Sequence, residues 1–242
     1  MQTFVIGDLH GGLKALKDVL KKVPYKPQDL FIFLGDYVDG WSDSAKLIDF
    51  LMVFSKNQPC VFLRGNHDEL LCSYLKTNTY NEMWLKHGGQ SSLDAYKTLS
   101  SKKKEEHISF LESLDNYYLD KQNRLFVHAG FTNLKGVTVE HFQKLLYWDR
   151  TLWEMALALN PRLKVTDENY PPRLKMYHEI FIGHSAVTKI NETTPQQRAN
   201  VWNVDTGAAF KGPVSVLEIE TKTFWQSKAV YLHYPEEEGR NK

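Results

Sequence analysis

Cysteine is scarce: two thiols, Cys60 and Cys72, in 242 residues cannot build a disulfide scaffold. Cys60 opens an apolar run and Cys72 lies in a helix-like stretch, so both are expected to be buried thiols. Charge of one sign is also lacking. The 30 Lys+Arg against 29 Asp+Glu leave a formal +1, which gives no broad basic footprint for nucleic acid. No apolar run approaches the roughly 20 residues of a membrane span. Thr3–Ile6 stops at Gly7-Asp8 with neither a basic start nor a long apolar core, so no targeting segment is expected and the chain is placed in the cytoplasm. With 42% hydrophobic and 13% aromatic residues, a core can form and wholesale disorder is excluded. Neither repeats nor low-complexity tracts interrupt the chain, and its length suits one domain with local insertions.

What is present is a recurring pattern. Thr3-Phe4-Val5-Ile6 leads into Gly7-Asp8-Leu9-His10-Gly11-Gly12. Leu30–Leu34 leads into Gly35-Asp36-Tyr37-Val38-Asp39, and Cys60–Leu63 into Arg64-Gly65-Asn66-His67-Asp68. Such short apolar runs suit strands buried on both faces. Leu13, Leu16, Val19 and Leu20, then Leu47, Ile48, Leu51 and Met52, have helical spacing between them. The order predicts a wound α/β sheet, in which ligands bind beyond the carboxyl ends of the strands. The polar clusters stand at those ends.

Leu125–Val127, Ile180–Ile182 and Val201–Val204 repeat the pattern, ending in His128-Ala129-Gly130, Gly183-His184 and Asp205-Thr206-Gly207. Residues 69–113 read as a mostly helical insertion. Helices are expected around Glu140–Leu146 and Leu152–Leu159, and a loop over Pro161–Pro172. Alternation at Val214, Val216, Leu217, Ile219, Phe224, Val230 and Leu232 predicts antiparallel strands. The domain should run over 1–234, with the charged tail 235–242 frayed.

The clusters are rich in metal-ligand side chains. Asp8 and His10, two apart at a strand end, can point the same way. Asp36, Asn66, His128 and His184 complete a set of six from five strand ends. Oxygen ligands mixed with imidazole suit manganese, iron or zinc better than calcium. Six ligands exceed one four-coordinate centre, and a carboxylate can bridge, so two ions about 3.5–4 Å apart are the economical inference. Each residue alone has a dull explanation, such as an Asp capping the next helix. Core packing, however, does not call for Asp-x-His-Gly, Gly-Asp and Gly-Asn-His at successive strand ends.

These blocks resemble the phosphoprotein phosphatase branch of the calcineurin-like metallophosphoesterases. Trp148-Asp149-Arg150 and Asp205-Thr206-Gly207 are similar to elements of its bacterial and phage members. The resemblance implies an α/β sandwich of two central mixed β-sheets flanked by helices, with the site at the strand ends. It also implies two divalent ions, manganese first, with iron, zinc or magnesium as alternatives. Asp8 and His10 would hold the first ion, Asp36 would bridge, and Asn66, His128 and His184 would hold the second. His67 would be the general acid, oriented by Asp39, which should raise its pKa. Arg150, with Asn66, would contact the substrate phosphate. The implied activity is phosphomonoester hydrolysis, on phosphorylated Ser, Thr or Tyr, by a metal-bridging hydroxide. The alternatives are a nucleotide phosphohydrolase or phosphodiesterase and, less favoured, a binding-only pseudoenzyme.

One departure concerns substrate. The protein phosphatases of the family follow the second block with Arg-Gly, the Arg gripping phosphate, whereas this chain has Gly40-Trp41. Arg173 is a candidate replacement, and restoring arginine at position 40 is expected to favour monoesters over diesters. Trp41 is expected to pack rather than stack on a base. Asp68 stands where Glu is commoner. Arg64 should brace its loop, Trp148 and Trp153 should be core or site wall, and His87 should lie in a turn. Lys102–Lys104 reads as a solvated helix face, and His107, His141, His178 and His233 as solvated.

Overall fold

The computed structural model describes residues 1–241. Its strands are β1 (Thr3–Ile6), β2 (Leu30–Phe33), β3 (Cys60–Phe62), β4 (Tyr117–Leu119) and β5 (Arg124–Val127). They continue with β6 (Glu179–Ile182), β7 (Gln196–Arg198), β8 (Val201–Asn203), β9 (Ser215–Glu218) and β10 (Phe224–Gln226). One sheet has the order β10-β9-β1-β2-β3, the other β4-β5-β6-β8-β7. Both are mixed: β1-β2-β3 and β5-β6-β8 run parallel, and the remaining pairings are antiparallel.

The apolar runs are continuous because each strand serves two cores. Val5, Ile32 and Leu34 meet Phe126, Phe181 and Leu217 between the sheets, with the Phe126 and Phe181 rings stacked at 4.9 Å. Their strand neighbours turn the other way. Phe4, Ile6, Phe31 and Phe33 pack under helices outside the first sheet, and Leu125, Val127, Ile180 and Ile182 do so outside the second. Alternating side chains thus find apolar partners on both faces. Helices α1 (Leu13–Leu20), α2 (Ser44–Phe54) and α3 (Asn66–Thr77) follow β1, β2 and β3. Each strand-to-helix turn therefore opens at the same edge of the sandwich.

Residues 69–113 complete α3 and continue through a kinked turn at Leu85–Gly89, where His87 and Gly88 leave helical backbone, to helices Gln90–Lys97 and Ser101–Glu112. His87 lies in that turn and is exposed. A helix Thr151–Ala158 stands where one was expected. The helix expected at Glu140–Leu146 is instead a 3-10 turn, Val137–Val139, and a single helical turn, Leu145–Trp148. There the Glu140 carboxylate accepts backbone N–H groups from Thr132 and Asn133, closing a loop in place of a helix. Val230 and Leu232 belong to a 3-10 turn, Val230–His233, rather than a strand.

In the tail segment Ser42 donates its N–H and hydroxyl to Glu237, at 2.9 and 2.6 Å, and Arg240 N donates to Ala209 O. Among the described residues no helix is long and apolar enough to cross a membrane.

Candidate active site

Loops from both sheets converge on one cleft. Asp8 and His10 follow β1, and Asp36 and Asp39 follow β2. Asn66 and His67 open α3, His128 follows β5, and His184 follows β6. Backbone bonds stitch the first two loops together: Leu9 N and His10 N donate to Asp36 O, and Trp41 N donates to His10 O. Asp68 fastens the third, its carboxylate accepting N–H groups of Asp36, Tyr37 and Gly65 at 2.8–2.9 Å. His10, Asp36, Asp39 and His184 all have φ between 46° and 70°. This left-handed backbone costs a non-glycine residue about 1–3 kcal/mol and clusters at functional sites.

Asp36 is the hub. Its Oδ2 lies 3.5 Å from His10 Nε2 and 3.5 Å from His128 Nε2. Two triads, His10–Asp36–His67 and Asp36–His128–His184, each bring three potential ligand atoms within 4.8 Å of one another. Asn66 Oδ1 is 3.3 Å from His128 Nε2. Asp8 lies slightly aside, with Oδ2 3.7 Å from His10 Nε2 while its carboxylate accepts His184 N–H. His67, expected only as an acid, is the residue that completes the triad on that side. A Cβ at Gly65 would stand 2.1 Å from Asp36 Oδ1, and one at Gly183 2.1 Å from Asp8 Oδ1. Glycine is what lets both carboxylates sit against backbone.

The donor set fits divalent cations. His10 Nδ1 faces the carbonyls of Val38 and Asp39, and His128 Nδ1 that of Leu34, which turns each Nε2 toward Asp36. Metal-binding histidines are fixed in this manner. His184 Nε2 is buried without a partner. Burial holds the His10, His128 and His184 imidazoles below their ordinary range, so they stay neutral, the form that ligates. Burial, and after it the Asp205 charge, pushes the Asp8 carboxyl up to about 8. Burial pushes Asp36 up to about 7, with His10 pulling it back and Asp8 pushing it further. Two cations would reverse that repulsion between buried carboxylates.

His67 Nδ1 meets Asp39 Oδ2 at 2.6 Å, and Trp84 Nε1 donates to the same oxygen at 2.6 Å. Burial, then the His10 and Arg240 charges, hold the His67 imidazole well below its ordinary value, so the net shift runs opposite to the rise expected from Asp39. Arg150 and Lys189 line the cleft, Arg150 Nη1 standing 3.4 Å from Ser185 Oγ. Burial, then the Arg150 charge, lower the Lys189 pKa. Nothing in the sequence around Trp84 or Lys189 singled them out, because the insertion and the turn Val187–Ile190 bring them in from outside the signature blocks.

Other candidates have structural duties. Arg173 does not line this cleft; its Nη1 donates to Phe131 O at 2.7 Å and Thr151 Oγ1 at 2.9 Å, and lies 3.7 Å from Asp149. Arg64 braces its loop on the carbonyls of Glu112 and Leu114. Trp41 is fully buried and donates to Ala208 O. His107 is buried rather than solvated, its ring held by Tyr96 Oη and Asp49. His233 is only partly exposed and faces Asp18 at 3.6 Å. Trp153 is core, whereas Trp148 is 41% exposed. Cys72 is buried and Cys60 half-buried, burial pushing the Cys60 thiol up to about 12.

Residues 1–209 match the model of a family described as calcineurin-like phosphoesterase. The chain is 25% identical to the asymmetrical bis(5'-nucleosyl)-tetraphosphatase of Oceanobacillus iheyensis, over 93% of this chain and 91% of that protein. It is 23% identical to serine/threonine-protein phosphatase 1 of Salmonella typhimurium, over 90% of this chain and 91% of that one. A Saccharomyces cerevisiae protein serine/threonine phosphatase superposes with a TM-score of 0.59 at 17% identity, covering 95% of this chain and 80% of its own.

Proposed function

The chain belongs to the calcineurin-like phosphoesterase family, a metal-dependent class of phosphoric ester hydrolases, and from that premise we propose that its substrate is a phosphate monoester. The observation that carries the reading is Asp36 Oδ2 standing 3.5 Å from both His10 Nε2 and His128 Nε2. In this reading His10, Asp36 and Asp8 hold one divalent ion, and Asp36, Asn66, His128 and His184 the other. Bound there, the ions supply Lewis-acid activation of water and neutralise phosphoryl charge. Manganese is the ion to test first.

The chain's own side chains do the remainder. Arg150 and Lys189 orient the anionic phosphoryl group from the cleft wall, where charge-assisted hydrogen bonds are strongest. His67 presents Nε2 to the leaving oxygen because Asp39 occupies its Nδ1. Trp84 fixes the Asp39 oxygen in turn. A bound phosphate dianion beside the ring favours its protonated form, opposing burial. Proton donation to the leaving group by a placed acid contributes about 10²–10⁴-fold.

A second reading, nucleotide hydrolysis, is favoured by exposed Trp148 and Met83 on the same cleft wall, an apolar platform beside cations. The Oceanobacillus relative carries a nucleotide-cleaving name. The deciding experiment is manganese-dependent hydrolysis of para-nitrophenyl phosphate beside bis-para-nitrophenyl phosphate, followed by phosphopeptides against diadenosine tetraphosphate. Faster monoester turnover is expected. Faster diester or dinucleotide turnover would move the assignment to nucleotides, and metal binding without any turnover would leave a binding protein.

A further inference from the structure

We propose that Arg240, from the C-terminal segment, is a substrate-binding residue of this cleft that contacts the phosphoryl group from the side left open by Gly40. The proposal rests on the phosphoester reading above. Arg240 lines the cleft, of about 530 Å³, that also contains Asp36, Asn66, His67 and Arg150. Its route there is built. The side-chain stem passes between two glycines: a Cβ at Gly40 would come within 3.5 Å of Arg240 Cγ, and one at Gly88 within 2.9 Å. Gly40 N donates to Gly88 O, which holds the two sides of that passage together. The head then lies 5.4 Å from the centre of the Phe210 ring.

The segment carrying Arg240 is anchored by other residues. Tyr234 stacks on Trp41 at 5.4 Å and donates to Asp43 at 2.8 Å, and Glu237 holds Ser42. Gly239 lies so close to the indole that a Cβ would stand 2.6 Å from Trp41 Cζ2. Both residues of the Gly40-Trp41 departure therefore serve this segment, glycine as room for the stem and tryptophan as its dock.

Apart from the Phe210 ring, the head has no such employment. Arg124 and Arg173 pair with carboxylates, but no carboxylate among the described residues pairs with Arg240. Its Nε is buried without a partner. An arginine whose only duty was to pin the tail would be expected to meet an acceptor, and three glutamates, Glu236–Glu238, lie within reach of sequence. Instead the guanidinium joins Arg150 and Lys189 around the same opening. Burial is the largest influence on the pKa values of His10, Asp36, Asp39 and His67, and the Arg240 charge is among the lesser ones on each. Three cations gathered around one opening repel one another, and a phosphoryl dianion relieves that repulsion.

The test uses the full chain loaded with manganese and inorganic phosphate as the probe. Arg240→Met keeps the packing of the stem, and Arg240→Lys keeps the charge without the fork. Phosphate affinity by calorimetry, competitive inhibition by phosphate, and the KM and kcat for para-nitrophenyl phosphate are compared with the melting temperature of the phosphate-free protein. Arg240→Met should weaken phosphate about 10- to 100-fold and raise KM, with the melting temperature nearly unchanged. Arg240→Lys should recover part of the loss. Unchanged phosphate affinity in Arg240→Met would overturn the proposal, as would a loss matched by unfolding of the tail and not rescued by lysine. Failure of the wild-type protein to turn over any phosphate ester would remove the hydrolase reading separately, because calorimetry still reports whether Arg240 holds phosphate.

Discussion

Asp39 Oδ2 accepts two hydrogen bonds at 2.6 Å, one from His67 Nδ1 and one from Trp84 Nε1, in a site closed to solvent. The imidazole is thereby fixed with Nε2 toward the cleft, and its conjugate acid has one buried counter-charge. His67→Asn should lower kcat about 10²–10⁴-fold for alkyl phosphates and much less for nitrophenyl phosphate, whose leaving group needs no proton. Asp39→Asn should give the same selectivity with a smaller loss. Rates across a leaving-group series check this, and an equal loss for every leaving group would show that His67 is not the proton donor.

Asp36 is the carboxylate shared by both histidine triads. Removing its charge should disrupt both ion positions together, while Asn keeps the shape. Asp36→Asn should therefore abolish turnover and reduce bound manganese by calorimetry or elemental analysis. Retention of two ions per chain with normal turnover would sink the bridging assignment.

Much of this site was legible because its candidate ligands are local to strand ends. An apolar run followed by a glycine and a metal-ligand side-chain type recurs after β1, β2, β3 and β6, His128 follows β5 directly, and the sandwich brings those ends together. Edge strands β4 and β7 carried no such signal. The sequence Gln196-Gln197-Arg198 reads as polar coil until its partner β8 is known. His107 looked solvated amid lysines and glutamates, yet the helix turns it onto Tyr96. Trp84 and Arg240 reach the cleft through contacts distant in sequence, Trp84 to Asp39 and the Arg240 stem past Gly40, and Lys189 enters on a turn outside the signature blocks. Spacing along the chain does not encode contacts of that kind.

Metal should stabilise the fold as well as activate it. Asp8 and Asp36 are buried carboxyls pushed up first by burial, then Asp8 by the Asp205 charge and Asp36 by the Asp8 charge. Manganese at about 100 times its Kd adds about 2.7 kcal/mol, which for a chain of this size raises the melting temperature roughly 5–10 °C. Chelation should reverse the shift, and Asp36→Asn should lose most of it. Scanning calorimetry with and without chelator reads the effect, and equal melting temperatures would argue against ions at these residues.

Away from the cleft, Glu140 makes a pH prediction. Burial works to raise its pKa, but N–H groups of Thr132, Asn133 and Phe142 outweigh it and hold the carboxyl below its usual value. A depressed folded pKa means the contribution is present above the unfolded value, about 4.3, and is lost as pH falls through the folded value. Glu140→Gln should cost about 1–2 kcal/mol at pH 7, and the gap from wild type should close toward pH 3. Urea unfolding at the two pH values measures it; a gap independent of pH would mean the charge is not what Thr132 and Asn133 need.

Restoring arginine at position 40 offers the sharpest contrast between sequence and structure. Read from the sequence, Gly40→Arg supplies a missing cation and should favour monoesters. In the structure Gly40 has φ +107°, and its Cβ position lies 3.3 Å from His10 O and 3.5 Å from Arg240 Cγ. A side chain there must adopt strained backbone, at about 1–3 kcal/mol, and compete with the Arg240 stem for one passage. Gly40→Arg should thus lower the melting temperature and leave the ratio of monoester to diester turnover at or below wild type. Combined with Arg240→Ala, which removes the stem, the same arginine has room to enter, and the ratio should rise relative to Arg240→Ala alone. A rise in the single variant, with Arg240 still present, would mean that the cleft lacks a cation on that side.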